Sequence, residues 1–407
     1  MHDLRATLVR GGTSKCWLFG AEDLHEAILA TGLDRDRVLT TAFGSADRRQ
    51  LDGVGGATAT TSKAAIVHRA VTSDADVEYE FAQVGIGDER VEWNSNCGNC
   101  ATAVALYAVH AGLVRVARGN TTVRLRHARS GALLTAVIPT PYGIAPDEGR
   151  AVVLGTEALG VPVDLGFESP VGSSTGHLLP TGRPVELLQR ADPWTEPVPA
   201  TLVDAGTAAA LMDAEAFGLS GSETLAAFTS VVPLLTELRR RAALTMGLAG
   251  PEDPVLHSIP KVGVVGRPRT YRTTGGRLVR ADEYDLAVRM VSMHAPHPVI
   301  GLTAAVAVAV AASVPGSVPA RHLVDRSAPD RLRLGTPAGV LTVNVERAAS
   351  GRVRRVVLRR AARRIASATL WVPMSRPTAP AGHPATALPA IRRRARTTTA
   401  VSVTPSH

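Results

Sequence analysis

The densest chemistry in this 407-residue chain lies in the run Trp93-Asn94-Ser95-Asn96-Cys97-Gly98-Asn99-Cys100. Residues 101–109 follow with apolar side chains at 101, 104, 105, 108 and 109, the spacing of one buried helical face. Gly112 stands where that helix should end, and Asn96 or Asn99 can cap its start. Cys97 is therefore expected at a helix N-terminus. Free N–H groups and the helix dipole there lower a thiol's pKa and attract carboxylates. A cysteine so placed can carry a proton or act as a nucleophile. On these residues alone, a small buried cysteine at a tight turn fits equally well.

The lysines are the second chemical signal. Only Lys15, Lys63 and Lys261 occur among 45 basic residues. Arginine stays charged, whereas a lysine becomes a general base once burial or a neighbouring cation lowers its pKa. Lys63 ends a Gly/Thr/Ser-rich loop, 53–62, and opens the β-type run Ala64-Ala65-Ile66-Val67. Such a loop suits a small polar ligand held against backbone; a plain surface loop is the alternative. Lys15 closes Gly11-Gly12-Thr13-Ser14, a glycine-rich turn after a strand, which suits an anion or simply a hairpin. The spacing is not that of a nucleotide-binding P-loop.

Metal and redox readings of Cys97-x-x-Cys100 have little support. Cys16 is the only other cysteine, so a four-cysteine zinc site is excluded; a site of two cysteines and two histidines stays open, although no histidine pair has the usual short spacing. A thioredoxin-like pair needs a βαβ setting that the flanking pattern lacks.

These residues need elements to position them. Apolar residues at 45% and charged residues at 20% describe an ordinary globular chain, long enough for two domains. A helix is expected over 21–31 and strands over 77–84 and 121–138. The apolar run 299–314, about 16 residues, is short of the roughly 20 a membrane span needs and reads as a buried helix. The polar start Met1-His2-Asp3-Leu4-Arg5 argues against a signal peptide, and three cysteines fit a reducing cytoplasm. More than half of the net charge of +9 comes from Arg376, Arg392, Arg393, Arg394 and Arg396, in a Pro/Ala/Thr-rich stretch, 373–407, expected to be disordered. The body is then only mildly basic, and its aromatic residues do not interleave with arginines, so no specific nucleic-acid partner is expected.

An internal repeat organises the rest. Ala6-Thr7-Leu8-Val9-Arg10-Gly11-Gly12-Thr13 returns as Ala200-Thr201-Leu202-Val203-Asp204-Ala205-Gly206-Thr207. Lys63-Ala64-Ala65-Ile66-Val67 returns as Lys261-Val262-Gly263-Val264-Val265, and the Ala/Val helix after Cys97 as another after Pro298. Ser130-Gly131-Ala132-Leu133-Leu134-Thr135 pairs with Ala338-Gly339-Val340-Leu341-Thr342. The order is kept at an offset of about 200 residues, which predicts two similar halves, each of strands around one Ala-rich helix. The join falls near 171–184, and a ligand is expected between the halves, at the facing helix N-termini.

The chain resembles the PrpF family, whose fold is that of diaminopimelate epimerase. The resemblance runs from residue 10 to about 365 and rests on ordered stretches. They include Arg10-Gly11-Gly12-Thr13-Ser14-Lys15, 53–66, Asn96-Cys97-Gly98-Asn99, Gly176-His177-Leu178-Leu179-Pro180-Thr181-Gly182, Pro260-Lys261, Met293-His294 and Leu334-Gly335-Thr336-Pro337-Ala338-Gly339-Val340. It implies an α+β fold of two pseudo-symmetric halves, 1–182 and 183–372, each a curved sheet or barrel around a central helix, followed by the basic tail 373–407. It implies an isomerase of an unsaturated di- or tricarboxylic acid, with no metal or organic cofactor, and it allows a homodimer. Catalysis would fall to Lys63 and Cys97. The loops and helix starts would supply Thr13, Ser14, Ser62, Asn96, Gly98, Asn99, Ser292 and His294 to the substrate.

The chain departs from the family at His177, where a lysine is usual, at the segment after Met293-His294, which lacks the usual Thr-Gly pair, and at the extra Cys100. With no cysteine in the second half, two-thiol epimerisation is excluded. Two other classes remain: a non-catalytic binder of polyacids, and a thiol-redox protein using Cys97 and Cys100.

Overall fold

The computed structural model describes residues 1–93, 97–192, 194–253, 259–324 and 330–374. The tail expected over 373–407 lies outside the described residues except for its first two positions. Residues Met1–Met374 form one compact unit.

The Ala-rich run after Cys97 becomes the helix Gly98–His110, in which only Tyr107 and His110 are not fully buried. A helix apolar on every side must be enclosed, and here strands enclose it. His2–Gly11 pairs antiparallel with Ser14–Gly20, which runs parallel to Lys63–Arg69. That strand is antiparallel to Val77–Val84, which runs parallel to Gly119–His127. Then follow Leu133–Thr140 and Leu159–Glu168, both antiparallel to their neighbours. The long strand Val353–Val372 closes the ring, pairing with Leu159–Glu168 on one side and His2–Gly11 on the other. Inward positions alternate with outward ones, as in Leu133–Thr140, where every second residue is buried.

The second half repeats the plan. Val198–Asp204 and Ala208–Asp213 form a hairpin, followed by a parallel Lys261–Gly266 and an antiparallel Leu286–Ser292. Arg331–Thr336 is parallel to that strand, and Gly339–Arg347 is antiparallel to Arg331–Thr336. The sense of every pairing matches its counterpart in the first half. The enclosed element is Leu302–Ala311, all of whose residues are buried. This is the buried helix expected from the apolar run 299–314. Gly339–Arg347 pairs with the start of Val353–Val372, so one strand serves both halves. The architecture is α+β and diaminopimelate epimerase-like.

Outer layers cover each half. Trp17 and Phe19 of the first sheet pack with Leu24, Leu39 and Phe43 of the helices Ala21–Thr31 and Arg35–Phe43. Leu235 and Leu238 of Val232–Thr245 cover Leu202 and Val262 of the second sheet.

Glycine at position 11 is dictated by the enclosed helix. A Cβ there would sit 2.0 Å from the Asn99 carbonyl oxygen and 2.9 Å from the Ala103 nitrogen, both backbone atoms that cannot swing aside. Gly11→Ala is therefore expected to cost about 3 kcal/mol or more. A urea titration with an unchanged midpoint would show that the helix does not seat on this strand as described.

Candidate active site

The two enclosed helices begin at one cleft. Its wall includes Cys97, Gly98 and Asn99 from the first helix start and Gly301, Leu302 and Thr303 from the second. Neither N-cap, Cys97 nor Gly301, makes a side-chain capping bond, so among the described residues neither N-cap side chain occupies the first-turn N–H groups. Gly98 lets the starts approach: a Cβ there would lie 2.7 Å from Leu302 Cβ and 3.1 Å from Phe167 Cζ. The expectation that an asparagine caps the first helix is corrected. Cys97 itself is the N-cap, and the Asn99 side chain is engaged elsewhere. Asn96 lies outside the described residues.

Asn99 is oriented by three groups. Its Oδ1 accepts from Arg360 Nη2 at 3.1 Å, which leaves Nδ2 to donate to Thr13 Oγ1 at 3.1 Å and toward Ser14 Oγ at 3.4 Å. Arg360 is buried, and burial pushes its pKa down to about 10, with Arg10 adding to the effect. The Gly11–Ser14 turn thus supports the first helix start. Ser14 lines the cleft, while Thr13 reaches it only through Asn99.

Lys63 is the first residue of its strand and lines the cleft. It faces Gln83 across the antiparallel pair, and its Nζ donates to Gln83 Oε1 at 2.5 Å. Gln83 is itself anchored, since its Nε2 donates to the Ser62 carbonyl at 2.8 Å. The Lys63 ammonium also lies 4.9 Å from the centre of the Phe81 ring. Lys261, the counterpart in the repeat, is likewise the first residue of its strand and lines the same cleft. Its pKa is pushed down to about 8, first by burial and then by the charge of Lys63.

That shift has a consequence for stability. A lysine whose folded pKa falls below 10.5 leaves the unfolded chain holding an extra proton between about pH 8 and 10.5. Folding at neutral pH therefore carries a cost that fades as pH rises through this window. Lys261→Met is expected to raise Tm at pH 7, with the gain shrinking toward pH 10.5. A lower Tm for the variant at pH 7 would contradict the burial of an ammonium that has no ion-pair partner among the described residues.

Cys97 is half-buried at the cleft, and Cys100 is fully buried behind it. The expectation that the helix start lowers the Cys97 pKa is not met. Its thiol is pushed well up, first by the hydrogen bond with Cys100, then by burial and the proximity of Cys100, with Lys63 opposing. The helix end favours an anion, but the group Cys97 touches is another thiol. Cys97 at rest is therefore a protonated acid. Cys16, Cys97 and Cys100 are all free cysteines.

The remaining expected residues divide. Ser292 lines the cleft. Ser62 does not: its hydroxyl donates to the Val84 carbonyl at 3.0 Å and accepts from Gln50 Nε2 at 2.8 Å, which pins the end of the 53–62 loop. Ala59 and Thr60 of that loop reach the wall instead. His294 is exposed and off the cleft, and His297, three residues on, lines it. The sequence marks Lys261 by its rarity and its place in the repeat without giving it a role; the structure puts it in the cleft. Gln83 and Arg360 carry no local mark.

Among the described residues no carboxylate lines the cleft, and no group of three or more His, Cys, Asp or Glu side chains is placed to hold a metal ion. No helix among them is long and apolar enough to cross a membrane. A strand ring and a second curved sheet, each around one enclosed helix, thus bring two lysines, a thiol and two helix starts to one cleft.

Comparison with known proteins gives the family. Residues 1–373 match the family model described as PrpF protein. A 4-oxalomesaconate tautomerase of Pseudomonas putida is 35% identical over 83% of this chain and 88% of its own length. A 2-methyl-aconitate isomerase of Shewanella oneidensis is 34% identical over 84% of this chain and 89% of its own. The crystal structure of a methylitaconate-delta-isomerase superposes with a TM-score of 0.77 at 29% identity, covering 94% of this chain and 99% of the other. The chain belongs to the PrpF family and is an isomerase.

Proposed function

We propose that the chain isomerises an unsaturated di- or tricarboxylic acid, of the aconitate, methylaconitate or oxalomesaconate type, by allylic proton transfer. The observation that carries this reading is the charge of the cleft. Lys63 and Lys261 converge there with two uncapped helix starts, with no carboxylate in the wall, and neither lysine is in an ion pair among the described residues. Unpaired buried cations are costly, and a polyanionic substrate offsets that cost.

The chemistry follows from the residue types. Lys63, after releasing its own proton to solvent, takes the proton on the carbon next to the conjugated alkene. The C–H electron pair moves into a dienolate, whose negative oxygen is stabilised by the helix N–H groups and Lys261. The Cys97 thiol then gives its proton to the far carbon, so the double bond has moved and the substrate has neither gained nor lost atoms. The proton on Lys63 returns to the Cys97 thiolate, directly or through water, to reset the site. The same reading places the enzyme in the cytoplasm, in keeping with its free thiols.

The test is proton NMR in deuterium oxide with aconitate, methylaconitate and oxalomesaconate as the panel. Deuterium entry at the allylic carbon together with appearance of the isomer is the expected result. Tight binding of the panel with no exchange on any member would leave only a polyacid-binding role.

A further inference from the structure

His297 occupies an unusual setting for a histidine. Its backbone N–H donates to the Met290 carbonyl at 2.8 Å, and its ring Nδ1 lies 3.0 Å from the backbone nitrogen of Val299. A backbone N–H can only donate, so Nδ1 must present its lone pair. A neutral ring then carries its proton on Nε2, and a doubly protonated ring would set two N–H groups against each other. The local chain thus selects one tautomer. The ring lines the cleft beside Lys261, Ser292 and Leu302.

The charged groups around it act in the same direction. Lys261, Lys63 and Arg360 all disfavour a second proton, and burial is the largest effect. Together they push the His297 pKa down to about 3. No anionic group counters them among the influences on this ring. His297 therefore differs from an ordinary histidine of acid/base catalysis, which changes charge near neutral pH.

We propose that His297 is a fixed, neutral hydrogen-bond donor that points Nε2–H at a carboxylate or dienolate oxygen of the substrate, and that it never exchanges a proton in the reaction. This rests on the reading of the cleft as a polycarboxylate site. A neutral donor stabilises negative charge that develops on oxygen without competing with Lys63 for the allylic proton. Two lysines supply the charge, and the histidine supplies direction, so it selects substrates by where their oxygen lies.

The experiment is NMR on the full chain labelled with ¹⁵N-histidine, with the His297 signals assigned by their loss in His297→Leu. The expected result is an Nε2–H neutral ring that does not titrate between pH 5 and 8. An Nδ1–H ring, or titration near the ordinary value of 6.5, overturns the proposal. Tricarballylate, a saturated tricarboxylate, is then added. The Nε2–H signal should shift; an unmoved signal while tricarballylate competitively inhibits turnover or binds by calorimetry also overturns it. In the turnover arm, His297→Gln keeps a donor near the Nε2 position and should lose roughly tenfold in kcat/KM or less, against about 10²-fold for His297→Leu. Equal losses, with both variants folded by circular dichroism, count against the donor role. The tautomer and ligand arms do not need turnover. A panel without isomerisation therefore removes the proposed function alone, and a titrating His297 in an active enzyme removes this proposal alone.

Discussion

Lys63→Arg is expected to reduce isomerase turnover by about 10³-fold or more while leaving the circular dichroism spectrum unchanged. The substitution keeps the positive charge and approximate length, so substrate binding should survive in part. It removes the one property the base needs, because a guanidinium does not release its proton near neutrality. The planar fork must also fit where the compact ammonium meets Gln83 Oε1 and the Phe81 face. The most telling readout is deuterium wash-in rather than product. Without the base no allylic exchange should occur, so both exchange and isomerisation are lost together. An arginine variant with near-native exchange would sink the base assignment.

Cys97→Ser is expected to separate those two readouts. Serine nearly keeps the size and the position at the helix start, so stability should change little. A hydroxyl is a far weaker acid than a thiol, so delivery of the proton to the second carbon should slow by about 10²–10⁴-fold. Lys63 remains able to take and return the first proton, so deuterium exchange at the allylic carbon should persist when isomer formation has nearly stopped. The matching control is Cys100→Ala. Cys100 is fully buried and does not line the cleft. Its loss should cost on the order of 1 kcal/mol of stability and shift turnover only a few-fold. Equal collapse of both variants would favour a thiol pair over a single acid, and an active Cys97→Ser would return the cysteine to a packing role.

Much of this was legible from the chain alone, for physical reasons that differ by element. The enclosed helices were readable because a helix inside a ring of strands must be small and apolar on every side, and runs such as Leu302–Ala311 have no other use in a globular chain. The two halves were readable because the strand order, and therefore the pattern of apolar runs, is repeated. Lys63 and Cys97 stood out because their types are rare here and both follow glycine-rich or asparagine-rich segments.

The rest depends on contacts that cross the sequence. Arg360 acts on Asn99 from 261 positions away, and one arginine among many carries no local mark. Gln83 matters only because register sets it opposite Lys63. Ser62 looked like a ligand group by type, yet its hydroxyl is consumed by Val84 and Gln50. His294 and His297 lie on one short segment, and only the hairpin Leu286–Ser292 with Ala295–Pro296 decides which of them turns to the cleft. The Cys97 thiol is raised rather than lowered because a second thiol stands behind it, a contact that the helix start alone does not announce.

The strand shared by both halves has a bearing on how the molecule is made. His2 lies opposite Val372, so the ring of the first half cannot close until Val353–Val372, which follows the whole second half in the sequence, has been made. Until then His2–Gly11 and Leu159–Glu168 each present a bare backbone edge, the kind of surface that recruits strands from other nascent chains. The N-terminal half is thus an assembly with a missing stave rather than a unit that matures on its own. Because His2–Gly11 and Val353–Val372 lie side by side, a short linker from residue 374 to Met1 together with a cut in an exposed loop would keep every pairing named above while changing the order in which the staves are delivered.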